Sequence, residues 1–328
     1  MTRADHKEQD PASRPFFANT DIRWQQHTLK DAVVFEGRGL HSGLKVIMTV
    51  MPAEPHSGIV FVRRDVDDID NLVSARWNWV SDTELSTTIS NGLGVRVSTT
   101  EHLMAALFAA GIDNARIVID APEVPILDGS AHLFLQAFEQ TGMVAQNAER
   151  QVLVVEQAIE IEHNGAKAML SPSLTPLMDM AIDFDNEVIG HQHISLPMDH
   201  HHFKQVAKAR TFGFKHHLVQ LKRKGLARGS SLNNAILIDD NKVVNRDGLR
   251  YQDEFVRHKF LDAIGDLAMA GHIIVGHFQG LKSGHRLNNE LLRKLFASRS
   301  WRLCPISEAH TRWAAYHSTL NTNKSVSA

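Results

Sequence analysis

The chain has 328 residues, 43% of them hydrophobic and 22% charged, with a formal net charge of −2 at pH 7. That balance fits a globular protein with room for two domains, and it lacks the basic excess that neutralises a polyanion, so nucleic acid is excluded as a general partner. A single cysteine, Cys304, excludes an internal disulfide and fits a reducing compartment; no apolar run approaches the roughly 18 residues of a membrane-spanning helix, and the expected location is the cytoplasm.

Residues 1–26 are polar, mixed in charge and punctuated by Pro11 and Pro15, without the apolar centre of a signal peptide; they read as a disordered N-terminal extension. Strand-like segments follow at 28–36, 45–50 and 58–63, the first closed by the turn Gly37-Arg38-Gly39-Leu40-His41-Ser42-Gly43. After an acidic loop at 65–71 and two short strand-like pieces at 85–89 and 95–98, Ser98-Thr99-Thr100-Glu101-His102 opens a helix that Gly111 stops. Ser98 and Glu101 have the spacing of a capping box. A buried-type strand at 115–119, a rigid loop from Asp120 to Pro125, and a helix capped by Asp128-Gly129-Ser130 complete a first α/β domain, 27–147.

A polar join at 145–151 leads into a second α/β domain, 148–298. Strands are expected at 152–162, 166–171 and 177–184. Residues 186–202 read as a solvated loop: His191, His193, His200, His201 and His202 have no spacing that fixes a metal geometry. Helices at 203–209 and 215–224, a strand at 236–239, a long helix over 253–271, a strand at 273–278 and a last helix to Phe296 follow. The tail, 299–328, reads as irregular and polar. Both halves share a plan, in which a histidine-bearing helix ending Ala-Gly is followed by a strand, a glycine-serine loop and another helix. The expected fold class is therefore α+β: two similar layered α/β domains, each a sheet packed with helices, with the active site at their interface.

The long helix carries His258, Asp262 and Asp266 at i, i+4 and i+8, on one stripe. An imidazole and a carboxylate one turn apart either hold a metal ion or belong to a solvated charged face. His102, from the other half, would supply a third ligand and leave one position open. Glu101 beside it is either the capping-box residue or a general base that reaches the attacking water. If the reaction is amide hydrolysis, it further needs an oxyanion stabiliser and an acid for the leaving amine. The Thr211 hydroxyl and the Lys259 ammonium suit the first task. His285, unless it is a plain loop histidine, suits the second, with Asp266 to hold it charged. A His₂Asp set suits Zn²⁺ and also Fe²⁺.

These residues resemble one family, UDP-3-O-acyl-N-acetylglucosamine deacetylase, the zinc amidase of lipid A synthesis in Gram-negative bacteria. The resemblance runs from about His27 to Phe296. It is carried by Thr28-Leu29-Lys30, Gly39-Leu40-His41-Ser42-Gly43, Glu101-His102-Leu103, Gly111-Ile112-Asp113-Asn114, Ala121-Pro122-Glu123 with Pro125-Ile126, and Asp128-Gly129-Ser130. It continues through Ala209-Arg210-Thr211-Phe212-Gly213-Phe214, Asp247-Gly248-Leu249-Arg250, the run Asp253 to Asp266, and Lys282-Ser283-Gly284-His285 with Leu287-Asn288-Asn289. It implies zinc on His102, His258 and Asp262, with Glu101 as base and His285 as acid. It also implies that Thr211 and Lys259 support the oxyanion, that Asp266 supports His285, and that Phe212, Phe214, Lys282 and Gly284 contact substrate. The implied partner is an acylated UDP-sugar, whose product feeds membrane lipid synthesis. A hydrophobic passage would take the acyl chain, Lys259 and Lys282 would lie near the phosphates, and the protein would be a monomer.

Five positions depart from the family pattern. Ser86 stands where many members have cysteine, Val155 replaces a lysine before Glu156, Asn186 and Glu187 replace a His-Pro pair, and Ser230 replaces the second glycine of Gly-Gly-Ser. All five fall where the resemblance puts substrate or acyl-chain contacts. They leave two alternatives open: a paralogous zinc deacetylase acting on another N-acetylated sugar nucleotide or glycan, and a non-catalytic regulatory copy of the fold.

Overall fold

The computed structural model describes residues 24–67 and 70–326. Of the expected N-terminal extension, 1–23 lie outside the described residues, and Gln25 already opens a strand.

The first half is built on a five-stranded sheet, in the order Val33–Arg38, Lys45–Pro52, Ala115–Ile119, Ile59–Arg63 and Leu72–Ser74. Its central strand is antiparallel to Lys45–Pro52 and parallel to Ile59–Arg63. The second half repeats this arrangement with Ile159–His163, Ala166–Ser171, His277–Leu281, Leu177–Asp183 and His191–Pro197. There too the central strand is antiparallel to the second and parallel to the fourth. In each half two hairpins are laid down first, and the central strand enters after a helix. The alternation is that of one-sided sheets: Val46, Met48 and Val50 point inward on one, Met178, Met180 and Ile182 on the other. The α+β class follows as expected.

The described residues also form seven α-helices: α1 (Glu101–Ala110), α2 (His132–Thr141), α3 (His200–Phe203), α4 (Lys215–Arg223), α5 (Glu254–Ala268), α6 (His285–Ala297) and α7 (Ile306–Val326). Nine of the ten residues of α1 and twelve of the fifteen of α5 are buried. A helix covered on all sides lies in the centre of a protein, and these two pack on each other. They cross at Gly265, where an added Cβ would stand 2.0 Å from the Glu101 carbonyl oxygen. Only glycine admits that approach.

Four expectations are corrected. The tail is not irregular: Trp301–Pro305 pairs antiparallel with Gln151–Val155. Ile306 and Ala309 at the start of α7 close a small core with Val152, Val154, Val275 and Cys304. This packing involves so few apolar side chains that α7 shows little amphipathic period in its sequence. The polar join is a strand, Met143–Glu149, paired with Gln25–Leu29. The histidine-rich loop is largely an edge strand, His191–Pro197, whose outward positions His191, His193 and Ser195 supply the polar residues. The helix expected at 203–209 is instead α3, capped when Asp199 accepts the His202 backbone N–H at 2.9 Å, and turns follow it.

Gly265→Ala should destabilise the fold by about 1–3 kcal/mol, as overpacking does, and weaken metal binding at the crossing. Gly92→Ala meets nothing within 4 Å and serves as the control. Thermal unfolding of both variants checks this, and equal melting temperatures would contradict it.

Candidate active site

The chain enters α1 through Thr99, which is held at φ 57°, so Ser98 is not the N-cap; Thr100 is. The capping box does not form. Ser98 Oγ accepts from Thr88 Oγ1 at 2.9 Å, while Glu101 Oε2 accepts the Thr87 backbone N–H at 3.0 Å. Glu101 thus keeps a buried carboxylate that the helix end does not consume. Burial raises its pKa, against the pull of the His285 and His102 charges.

His102 on α1 and His258 and Asp262 on α5 bring their ligand atoms within 4.8 Å of one another. Both Nε2 atoms lie 3.4 Å from Asp262 Oδ1, yet that oxygen accepts no hydrogen bond. The other carboxylate oxygen, Oδ2, accepts from Lys259 Nζ at 3.0 Å. An orphaned carboxylate oxygen in a nearly dry site is costly, and a cation set between it and the two imidazoles removes that cost. His258 Nδ1 meets the Ala209 carbonyl at 3.1 Å, which makes Nδ1 the N–H and turns the Nε2 lone pair inward. Burial, with the neighbouring His102 and Lys259 charges, lowers its pKa to about 4 against the pull of Asp262; Asp262 holds the His102 pKa up against burial, so an ion bound here would displace the His102 proton. The residues present fit a divalent ion.

One turn further along α5, Asp266 is held on both oxygens. Oδ1 accepts from Thr87 Oγ1 at 2.5 Å, and Oδ2 from Asn288 Nδ2 at 2.8 Å and His285 Nδ1 at 2.9 Å. Burial opposes charge on His285, but the Asp266 charge and hydrogen bond, with help from Glu101, outweigh it and push the imidazole up to about 9.

A cleft of about 430 Å³ is lined by Glu101, His102, Thr211, Phe212, His258, Lys259, Asp262, Lys282, Gly284 and His285, so most of the expected site residues meet there. Two expected site residues are not in that lining. Asp266 acts from behind His285, and Phe214 packs against Phe184, His216 and His217. Lys282 pairs with Asp183 at 2.7 Å at the rim. An apolar groove of about 240 Å³ adjoins the cleft and shares Leu40, Leu85, Thr211 and Phe212 with it. Leu40 is fixed from beneath: buried Glu123 accepts the His41 and Ser42 N–H groups, each at 2.7 Å, and its carboxylate leaves no room for a Cβ at Gly39.

Of the departures, Ser230 lines the groove, with its hydroxyl turned onto the Ala227 carbonyl at 2.7 Å, and Ser86 is buried next to Thr87. The Asn186 side-chain amide donates to the Asp240 carbonyl at 2.9 Å, and Glu187 lines neither cavity. Val155 faces a separate cavity with Pro172 and Arg312. The substrate contact expected at 155, 186 and 187 is therefore absent from both cavities. Sequence reasoning missed Thr87, whose partners stand 14 and 179 residues away. It also missed Asn288 as a partner of Asp266, although the motif Leu287-Asn288-Asn289 was available as a signal.

The chain matches the family model for UDP-3-O-acyl N-acetylglycosamine deacetylase over residues 26–297. It is 43% identical over 288 residues to the UDP-3-O-acyl-N-acetylglucosamine deacetylase of Idiomarina loihiensis, covering 87% of this chain and 94% of the relative. The Chromohalobacter salexigens protein of the same name is 44% identical over 283 residues, 85% of this chain and 93% of the relative. That of Coxiella burnetii is 42% identical over 279 residues, 84% and 91%.

Metal removal tests the cluster. Chelator should lower the unfolding temperature, and re-adding a divalent ion at about 100 times its Kd should restore about 2.7 kcal/mol of stability. Asp262→Ala should abolish the response. An equal response in that variant would assign the ion elsewhere.

Proposed function

We propose that this chain, which belongs to the UDP-3-O-acyl-N-acetylglucosamine deacetylase family, hydrolyses the acetamide of a UDP-3-O-acyl-N-acetylglucosamine and releases acetate, the deacetylation step of lipid A synthesis. The observation that carries this reading is the orphaned Asp262 oxygen facing two imidazoles, in one cleft with Glu101 and His285.

His102, His258 and Asp262 would hold the ion, Zn²⁺ in this reading, with Fe²⁺ suited to the same ligands. Such an ion lowers the pKa of water toward about 7 and polarises a carbonyl. The chain's own residues do the rest. Glu101, raised by burial, takes a proton from the attacking water as its oxygen adds to the acetamide carbon. The Thr211 hydroxyl and the Lys259 ammonium face the cleft and support the charge that develops on the carbonyl oxygen. His285, kept charged by Asp266, gives a proton to the departing nitrogen. The C–N bond breaks to leave acetate and the free amine.

The groove supports an acylated substrate. Leu218, Leu221, Leu232 and Ile236 line it, and it opens into the cleft beside Thr211 and Phe212, so a 3-O-acyl chain can lie in it while the 2-acetamide reaches the metal site. Lys282, at the rim, is positioned for the diphosphate once Asp183 releases it, and Gly284, with open space above it, admits the sugar. Phe214 supports the wall behind Phe212 and Phe184. The division into domains 27–147 and 148–298, the cytoplasmic location and the monomeric state belong to the same proposal. Among the described residues no helix is long and apolar enough to cross a membrane.

Glu101→Ala and His285→Ala should each lower kcat by about 10²–10⁴, the worth of a positioned base or acid, with folding retained. Acetate release from the acylated substrate is the assay. Equal rates on the non-acylated UDP-sugar would argue against use of the groove and favour the paralogue.

The pH profile is a second test. The acid is active when protonated, so kcat/KM should fall as pH rises through about 9, the pKa of His285. Asp266→Asn should move that fall to lower pH, and an unmoved limb would remove His285 as its source.

A further inference from the structure

The base and the acid of the proposed reaction are carried by different halves of the fold. Glu101 opens α1, whereas Asp266, which orients His285, lies on α5. Thr87 bonds to both. Its backbone N–H reaches Glu101 Oε2 at 3.0 Å and its hydroxyl reaches Asp266 Oδ1 at 2.5 Å. A carboxylate only accepts, so the hydroxyl is the donor, and its bond to a charged acceptor is of the strong, short kind. The Thr87 carbonyl is also engaged, accepting the N–H of Thr100 at 3.2 Å and its hydroxyl at 3.0 Å, at the cap of α1.

Three features make this contact rigid. Thr87 is 2% exposed. Its β-branched side chain has few rotamers. The next residues, Thr88–Ser90, form the middle strand of a small sheet between Val80–Asp82 and Arg96–Val97. Asp266 keeps its bonds to Asn288 and His285 if the Thr87 hydroxyl is removed, so the loss falls on the orientation of Asp266 rather than on the presence of the carboxylate.

We infer that Thr87 is a positioning residue: it sets the placement of Glu101 relative to the Asp266–His285 dyad and holds Asp266 in the orientation that aims the His285 ring at the departing nitrogen. The inference rests on the reaction proposed above.

The test compares Thr87→Val, which keeps shape and backbone N–H but loses the hydroxyl, with Thr87→Ser, which restores the hydroxyl. Thr87→Ala replaces the valine variant should that fail to fold. The valine variant should lose about 10- to 100-fold in kcat, the range for a hydrogen bond to a charged group, with KM and metal content unchanged. The serine variant should recover most of the loss. Without substrate, the ring N–H signal of His285 on Asp266, followed by ¹⁵N-edited NMR of the full chain, should move in the valine variant and return in the serine variant. Wild-type kcat with an unmoved His285 signal in the valine variant would overturn the inference. So would equal losses in the valine and serine variants together with reduced melting temperature and metal content, which would make Thr87 a packing residue only. A wild-type protein that binds metal yet releases no acetate would overturn the deacetylase reading instead, and the His285 signal would still decide the role of Thr87.

Discussion

The approach of α5 to α1 at Gly265 governs the molecule. The two helices belong to separate repeats of one topology and pack on each other. What joins them is a crossing so close that the Glu101 carbonyl fills the space a Cβ would need. At that separation the helix faces that meet carry His102 on one side and His258 and Asp262 on the other, with their ligand atoms within 4.8 Å. A wider crossing would leave three unrelated polar residues in an apolar interface. The site is thus a product of helix packing before it is a product of side-chain chemistry, and the glycine is as much a part of it as the ligands.

Charge balance explains why so polar a cluster survives burial. Glu101, Asp262 and Asp266 bring three carboxylates into one buried region, and Lys259 and His285 bring two cations. Burying ions is expensive unless each is paired. Lys259 takes one oxygen of Asp262, and Asp266 takes the His285 imidazolium, which leaves an unserved Asp262 oxygen and, once both ligand imidazoles are neutral as metal binding requires, a formal excess of one negative charge. A divalent cation reverses that sign. With an ion held by His102, His258 and Asp262 the region would carry net positive charge, the electrostatic condition that favours a developing oxyanion.

The parts legible in the sequence were those with short-range periodicity or punctuation. The i, i+4, i+8 stripe of α5, the glycine stop of α1 and the strand-like segment at 45–50 are local, and the repeated plan of the halves follows from such signals. The parts not legible depend on long-range contacts. Nothing near Thr87 says that its hydroxyl meets a residue 179 positions later. Local pattern misled at Ser98, because the left-handed Thr99 moves the cap by two residues. It misled again at His191–Pro197, where an edge strand with polar outward positions looks like a solvated loop. The strand Trp301–Pro305 went unseen because its five residues bury only Cys304.

The groove wall and the buried carboxylates share one support. Leu85, held at φ 64°, forms part of the wall common to cleft and groove. A non-glycine residue in that region is strained and persists where surrounding contacts over-determine it. Two residues later the same segment bonds Glu101 and Asp266 through Thr87. The wall common to cleft and groove and the residue that bonds both carboxylates are therefore on one short stretch, pinned by the Thr88–Ser90 strand on one side. Leu85 thus stands two residues from the hydrogen bonds that hold both carboxylates, and a change in the groove wall at Leu85 is transmitted along the chain over that short distance.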